Sequence, residues 1–302
     1  MNDLRQDYLT GEWVAISTAR AGRPVVSAEE ECPFCPGNEH MTPPTLYSGG
    51  QVRVFENKYP ALAEDSLEGY GIHEVLVDTD IHDRQLHELS VGQISEIFFA
   101  MQSRLLNLRA DKKIKYIQIL KNQGRGGGAT IAHSHWQIIA MPVVPLRQRR
   151  IRRSFGEYFR KRGKCYLCEF FEEKEHIIYE NAGAVAYVPP ASQFADSVSL
   201  APKRHAQDIT QLTPDDCAFF ADALKRVLCA LRRIHPERGY NICLQTGYGA
   251  AVSTADRGAH MYMQIIPRIG TLAGFELATG CFINPVDPAE SAAKFKRIIS
   301  EI

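Results

Sequence analysis

His133-Ser134-His135-Trp136-Gln137 leads into an apolar run, Ile138-Ile139-Ala140-Met141, that reads as a buried strand. Alternate side chains on a strand share a face, so His133, His135 and Gln137 point together. Two imidazoles and an amide on one face are costly to bury unless each has a partner. Just upstream, Asn122 precedes Gly124-Arg125-Gly126-Gly127-Gly128-Ala129-Thr130, whose glycines let backbone N–H groups approach an anion closely. A glycine-rich loop feeding a His-x-His-x-Gln strand points to a nucleophilic histidine beside a phosphate. Gln137 narrows the chemistry. A hydrolase expelling an alkoxide or amine gains from a third group that can donate a proton, which an amide cannot do at pH 7. A phosphate or sugar phosphate leaves as a stable anion, so Gln137 favours transfer between phosphates over hydrolysis. It can still donate a hydrogen bond to a phosphoryl oxygen.

A second pattern is metal-ligating. Cys32-Pro33-Phe34-Cys35-Pro36-Gly37 and Cys165-Tyr166-Leu167-Cys168 are two Cys-x-x-Cys knuckles. Each is followed by two histidines, His82 and His133 in the first case, His205 and His260 in the second. The separations are 47 and 51 residues, then 37 and 55. Chance seldom repeats such an order, so two copies of one unit are expected. Two Cys2His2 sets read as two closed, structural zinc sites, with no open position for a catalytic water. A redox pair is the competing reading of the first knuckle, but Pro36-Gly37 ends the turn where a thioredoxin-like helix would begin. A metal on His133 would pin the strand and so fix His135. In the second copy Tyr262 stands where His135 stands in the first; a phenol is neutral at pH 7 and a poor nucleophile. That half therefore reads as scaffold.

The elements that must hold these residues are legible in outline. Leu9 to Ser17 carries a hairpin signal with its turn at Thr10-Gly11, and Arg20 and Arg23, before Pro24, could grip a phosphate or lie solvated at the surface. Strands are expected at Val52–Asn57, Glu74–Asp78 and Tyr116–Leu120. Leu89-Ser90-Val91 opens a helix of about 18 residues with an apolar face at Ile94, Ile97, Phe98, Met101, Leu105 and Leu106. In the second half, Tyr179-Glu180-Asn181 answers Phe55-Glu56-Asn57, and Thr213 caps a helix through Leu231. Residues 146–164 carry nine Arg/Lys against one Glu, a solvated linking helix that marks the boundary between halves 1–155 and 156–302. The isolated Cys217, Cys229, Cys243 and Cys281 are expected in the core. Formal net charge is zero, which offers no basic field for nucleic acid. The sequence shows neither a membrane span nor a signal-peptide layout, so a cytoplasmic location is expected.

From Leu9-Thr10-Gly11-Glu12-Trp13-Val14 to Ile283-Asn284-Pro285 the chain resembles the galactose-1-phosphate uridylyltransferase family of the histidine-triad superfamily. The carrying motifs are Arg20-Ala-Gly-Arg23-Pro, the first knuckle, Glu56-Asn57, Asn122 with the glycine loop, and His133-Ser-His135-Trp-Gln137. The resemblance implies an α+β fold of two tandem histidine-triad-like domains, each an antiparallel sheet with packed helices. It implies ping-pong transfer through a nucleotidyl-histidine, with His135 as nucleophile and Gln137 as its phosphate partner. Asn122, Gly128 and Thr130 become phosphate-loop contacts, Arg23 a hexose-phosphate contact with Arg20 keeping the phosphate grip beside it, and Asn57 a nucleoside contact. A homodimer is implied, because the family's C-terminal loop serves the partner subunit's site.

Some positions depart from the family. Ser134 replaces a proline, and Lys58 an acidic residue. The loop Gly270–Phe282 keeps Phe275-Glu276, with Glu276 expected to contact substrate, but has neither the lysine nor the glutamine that reach the hexose phosphate. Thr279-Gly280-Cys281-Phe282-Ile283-Asn284-Pro285-Val286 resembles the ADP-sugar phosphorylase branch, where inorganic phosphate is the acceptor. The leading expectation is UDP-glucose:hexose-1-phosphate uridylyl transfer, with ADP-sugar phosphorolysis as the alternative. A non-catalytic, zinc-stapled nucleotide-binding protein is the rival from another class.

Overall fold

The Ser90 side chain accepts a hydrogen bond from the Gln93 N–H, and the Gln93 side-chain oxygen accepts one from the Ser90 N–H, so the long first-half helix starts where the sequence places it. The computed structural model describes residues 2–22, 31–246 and 258–302. Arg23 lies outside the described residues. In chain order the strands of the first half are β1 (Asn2–Gln6), β2 (Trp13–Ser17), β3 (Thr45–Gly49), β4 (Val52–Glu56), β5 (Ile72–Val77), β6 (Tyr116–Gln123) and β7 (His135–Met141). Helix α1 (Val91–Arg109) sits between β5 and β6, and α2 (Leu146–Arg162) follows β7. The second half holds α3 (Tyr166–Phe170), β8 (Ile177–Glu180), β9 (Ala184–Tyr187), β10 (Val198–Pro202), α4 (Pro214–Ile234), β11 (Tyr240–Gln245), β12 (Tyr262–Pro267), α5 (Gly274–Thr279) and α6 (Pro288–Ile299).

The fold is α+β. Among the described residues ten strands form one antiparallel sheet in the order β3-β4-β5-β7-β6-β11-β12-β10-β9-β8, while β1 and β2 make a separate ribbon. Five strands come from each side of α2, in the same order counted from each outer edge. The two sets join where β6 pairs with β11, Asn122 opposite Asn241 and Leu120 opposite Cys243. This register corrects one expected correspondence. Tyr179-Glu180 ends β8, the partner of β3 by position, whereas Phe55-Glu56 ends β4, whose partner is β9.

One face of the sheet carries the main core. Helices α1 and α4 lie against it, with Phe98 and Phe220 in edge contact at 5.5 Å. Along α1 the buried stripe is Ile94, Ile97, Phe98, Met101, Leu105 and Leu108; Leu106 is 61% exposed, one step off the face it was expected to share. Glu74 is fully buried and takes a two-pronged hydrogen bond from Arg104 of α1, at 2.6 and 3.0 Å. The other face bears two smaller apolar clusters, each built around one Cys-x-x-Cys knuckle. Of the isolated cysteines, Cys217 is buried and Cys229 and Cys243 are half-buried, but Cys281 is exposed, since it follows the short surface helix α5.

The glycines after β6 serve the joint between the halves. A Cβ on Gly127 would lie 2.6 Å from the Tyr240 carbonyl oxygen, and one on Gly239 would lie 2.5 Å from that of Gln123. Backbone cannot yield there as a flexible side chain can. Gly239→Ala should lower stability by about 1–3 kcal/mol through overpacking. Denaturant unfolding of the purified variant checks this, and an unchanged midpoint would contradict it.

Candidate active site

The site is laid out by strand register. Directly opposed residues of an antiparallel pair share a face. Val77 pairs with His135, Val75 with Gln137 and with Phe55, and the Asn57 N–H donates to the His73 carbonyl at 2.7 Å. His135, Gln137, Phe55, Val75, His73 and Asn57 therefore share the face away from α1. There a cavity of about 360 Å³ opens over Phe34, Phe55, Asn57, Thr130, His135 and Gln137, with Pro33, Met41 and Pro43 as an apolar wall. Lys58 and Tyr59 also line it.

His135 is 8% exposed, and its Nδ1 lies 2.8 Å from the His133 carbonyl oxygen. A carbonyl can only accept, so Nδ1 carries the proton and Nε2 keeps a lone pair. Burial pulls the imidazolium down to about 4, so the ring is neutral at ordinary pH. The strand beneath is anchored from the helix side. Lys121, fully buried, donates to Asp78, to Ser134 and to the His135 carbonyl, at 2.7, 2.7 and 3.1 Å. Sequence reading missed Lys121 and His73. Lysine is rarely fully buried, and only the register brings Asp78 and Ser134 to it.

The other expected contacts divide. Thr130 lines the cavity. Arg20 donates to the Tyr59 carbonyl at 2.8 Å, and so braces a cavity wall. Asn122 accepts from Asn241 Nδ2 at 2.8 Å, at the joint between the halves. Gly128 is left-handed at φ +84° with open space where a Cβ would stand, while Gly126 and Gly127 face Gly239 and Tyr240. Glu276 accepts from the Ala273 N–H at the start of α5 and is not among the cavity residues.

Both four-residue sets converge. In the first, Cys32 Sγ lies 3.6 Å from His133 Nδ1, and Cys35 Sγ lies 3.4 Å from His82 Nδ1 and 3.7 Å from His133 Nδ1. In the second, Cys165 Sγ lies 3.5 Å from His260 Nδ1, and Cys168 Sγ lies 3.6 Å from both His205 and His260 Nδ1. The donor atoms of each set lie within 4.8 Å of one another and could hold a metal ion. His133 Nε2 donates to the Thr79 carbonyl at 2.7 Å and His260 Nε2 to that of Pro202 at 3.0 Å, which turns each Nδ1 to the cluster. Burial, with a second thiol alongside, pushes Cys35 up to about 11 and Cys168 up to about 12. In the second half, among the described residues, the face matching the cavity carries an apolar cluster. Tyr262 packs with Phe155 beside the cluster of Val185, Tyr187 and Phe170. Burial raises the Tyr262 phenol to about 12.

The family described as galactose-1-phosphate uridyl transferase, N-terminal domain, matches residues 1–145. The chain is 31% identical to the ADP-glucose phosphorylase of Arabidopsis thaliana, over 99% of this chain and 93% of that one. It is 28% identical to the galactose-1-phosphate uridylyltransferase of Thermotoga maritima, over 100% of both. A crystal structure of the Arabidopsis thaliana enzyme with bound ADP-glucose superposes with a TM-score of 0.85, covering 98% of each chain. Among the described residues no helix is long and apolar enough to cross a membrane.

Proposed function

Since the chain belongs to the galactose-1-phosphate uridylyltransferase family, we infer that it is a nucleotidyltransferase working through His135 on nucleotide sugars. The observation that carries this reading is the His135 ring, held neutral with its Nε2 lone pair at a cavity that also holds Gln137. The Nε2 lone pair bonds to the α-phosphorus as the bond to the sugar 1-phosphate oxygen breaks, and that electron pair leaves with the sugar 1-phosphate. An oxygen of the acceptor phosphate then attacks the same phosphorus, and Nε2 departs with its lone pair. No proton donor is required at either step. While the nucleotidyl group is attached the ring is cationic, and the His133 carbonyl stabilises its Nδ1–H. Gln137 donates to a phosphoryl oxygen, Asn57 contacts the nucleoside, and the wall of Pro33, Phe34, Met41 and Phe55 suits the flat face of a base.

The activity is hexose-1-phosphate uridylyl transfer from UDP-glucose, in line with the full-length uridylyltransferase relative. ADP-sugar phosphorolysis is the second reading. The Arabidopsis thaliana relative favours it, and so does the loop Gly270–Phe282 with neither lysine nor glutamine. Missing two polar contacts to a hexose phosphate costs on the order of a few kcal/mol, enough to change the acceptor. UDP-glucose and ADP-glucose, each paired with galactose 1-phosphate and with inorganic phosphate, should separate the two. Turnover of UDP-glucose with the sugar phosphate, at least tenfold above the other pairs, is expected. Fast ADP-glucose turnover with phosphate alone would overturn that acceptor and leave His135 in its role.

Zinc suits both clusters. Zn–S of about 2.3 Å and Zn–N of about 2.0 Å give tetrahedral S···N edges of about 3.5 Å, close to the donor spacings here. When bound, the ion supplies a structural crosslink that keeps His133 in place. We also propose a division at 155/156, inside α2, a homodimer, for which exposed Phe275 and Leu277 on α5 offer apolar surface, and a cytoplasmic location.

A further inference from the structure

We propose that His73 is a positioning residue that sets which end of the Gln137 amide faces the reacting phosphate. The proposal rests on Gln137 being the phosphoryl donor described above. His73 is 3% exposed on β5, opposite Ile139 and so one pleat diagonal from Gln137 on the cavity face. The Ala61 N–H donates to His73 Nδ1 at 3.0 Å. A ring accepting at Nδ1 and remaining neutral carries its proton on Nε2. His73 Nε2 lies 2.9 Å from Gln137 Oε1, so Nε2–H donates to that oxygen. A charged ring would set its Nδ1–H against the Ala61 N–H, which disfavours that state.

Asn57 Nδ2 also lies 3.2 Å from His73 Nε2, while Asn57 Oδ1 is taken by the Tyr59 N–H at 2.8 Å. If Asn57 donated to Nε2, both ring nitrogens would be acceptors and Gln137 Oε1 would lose its donor. A neutral imidazole cannot accept at both nitrogens. The Asn57 contact is therefore packing, and His73 stands between the residue read as the nucleoside contact and the phosphoryl donor.

The two ends of a glutamine amide have nearly the same shape and opposite hydrogen-bonding character. With Oε1 free to face the phosphate, a lone pair would meet a phosphoryl oxygen and repel it. With Oε1 held by His73, Nε2 is the end left for the ligand; among the described residues none accepts from it. Ala61 N–H, the His73 ring and the Gln137 amide thus form one directed chain, in which each bond polarises the next. The backbone of the Tyr59–Ala61 loop fixes the direction, and the phosphoryl site receives it.

The test is a double-mutant cycle on the nucleotidyl-transfer rate, with substrate KM and thermal stability followed in parallel. His73→Asn keeps an acceptor near Nδ1 for the Ala61 N–H but cannot reach Gln137. His73→Gln places an N–H near the position of Nε2. We expect His73→Asn to lower kcat at least tenfold with KM moved less than threefold, and His73→Gln to recover most of the rate. In the Gln137→Ala background the same His73→Asn change should cost less than threefold. An equal loss in both backgrounds, with Gln137→Ala itself slow, would overturn this inference and leave the nucleophile reading standing. A Gln137→Ala enzyme as fast as the parent would overturn the role given to Gln137, and this inference with it.

Discussion

His135→Ala is expected to lower nucleotidyl transfer by about 10⁴-fold or more while the fold and metal content persist. In the proposed mechanism the substitution removes the atom that forms the covalent intermediate, and with it the split of one hard step into two easier ones. A 10⁴-fold loss corresponds to about 5 kcal/mol of transition-state stabilisation. His135 is held by the His133 carbonyl and sits over a cavity, so truncation frees space at the cavity floor without opening the main core. Incubation with nucleotide sugar labelled at the α-phosphate, without acceptor, should leave label on the parent protein and none on the variant. The bond should be labile in acid and stable in base, as a phosphoramidate is. Label on the His135→Ala protein, or unchanged turnover, would sink the covalent mechanism. Nucleotide binding by the parent protein with neither label nor turnover would favour the non-catalytic nucleotide-binding protein as the better description.

The second large effect concerns the metal clusters, and the two halves should respond differently. Loss of either cluster removes folding free energy on the order of several kcal/mol, a large part of the ~5–15 kcal/mol that holds a domain folded. Cys32→Ser should also slow transfer on the order of 100-fold, because His133 carries both a cluster nitrogen and the carbonyl that orients His135. Cys165→Ser should destabilise comparably, yet leave the rate within about threefold when assayed well below its melting temperature. Its cluster supports Tyr262, whose buried phenol stays protonated and is a poor nucleophile. Elemental analysis should find about two metal ions per parent chain and about one in each variant. If Cys165→Ser abolished transfer with its fold intact, the scaffold reading of the second half would be wrong.

The chemistry-bearing residues were legible because ligand spacing and strand alternation are local, periodic signals. The two Cys-x-x-Cys…His…His series, the His-x-His-x-Gln strand and the capping boxes at Ser90 and Thr213 each lie within a short stretch or repeat as a series. The substitution of Tyr262 for His135 is equally visible, since it compares two positions in one repeat. From these alone the fold class, the doubled unit and the two ligand sets follow, and the proposal of His135 as nucleophile starts from them.

Tertiary structure decided what depends on partners distant in the chain. His73 and Lys121 are polar residues in otherwise apolar strands, and alternation alone does not say which face is the cavity and which the core. The antiparallel register decides it. Lys121 falls on the helix side beside Asp78 and Ser134, and His73 on the cavity side beside Gln137 and Asn57. The glycine loop shows the same dependence. Its composition reads as a place for an anion, but Gly127 is small because the Tyr240 backbone of the second half approaches it. A residue's type constrains what it can do; which of those things it does is set by the backbone that packing brings within 3–4 Å of it.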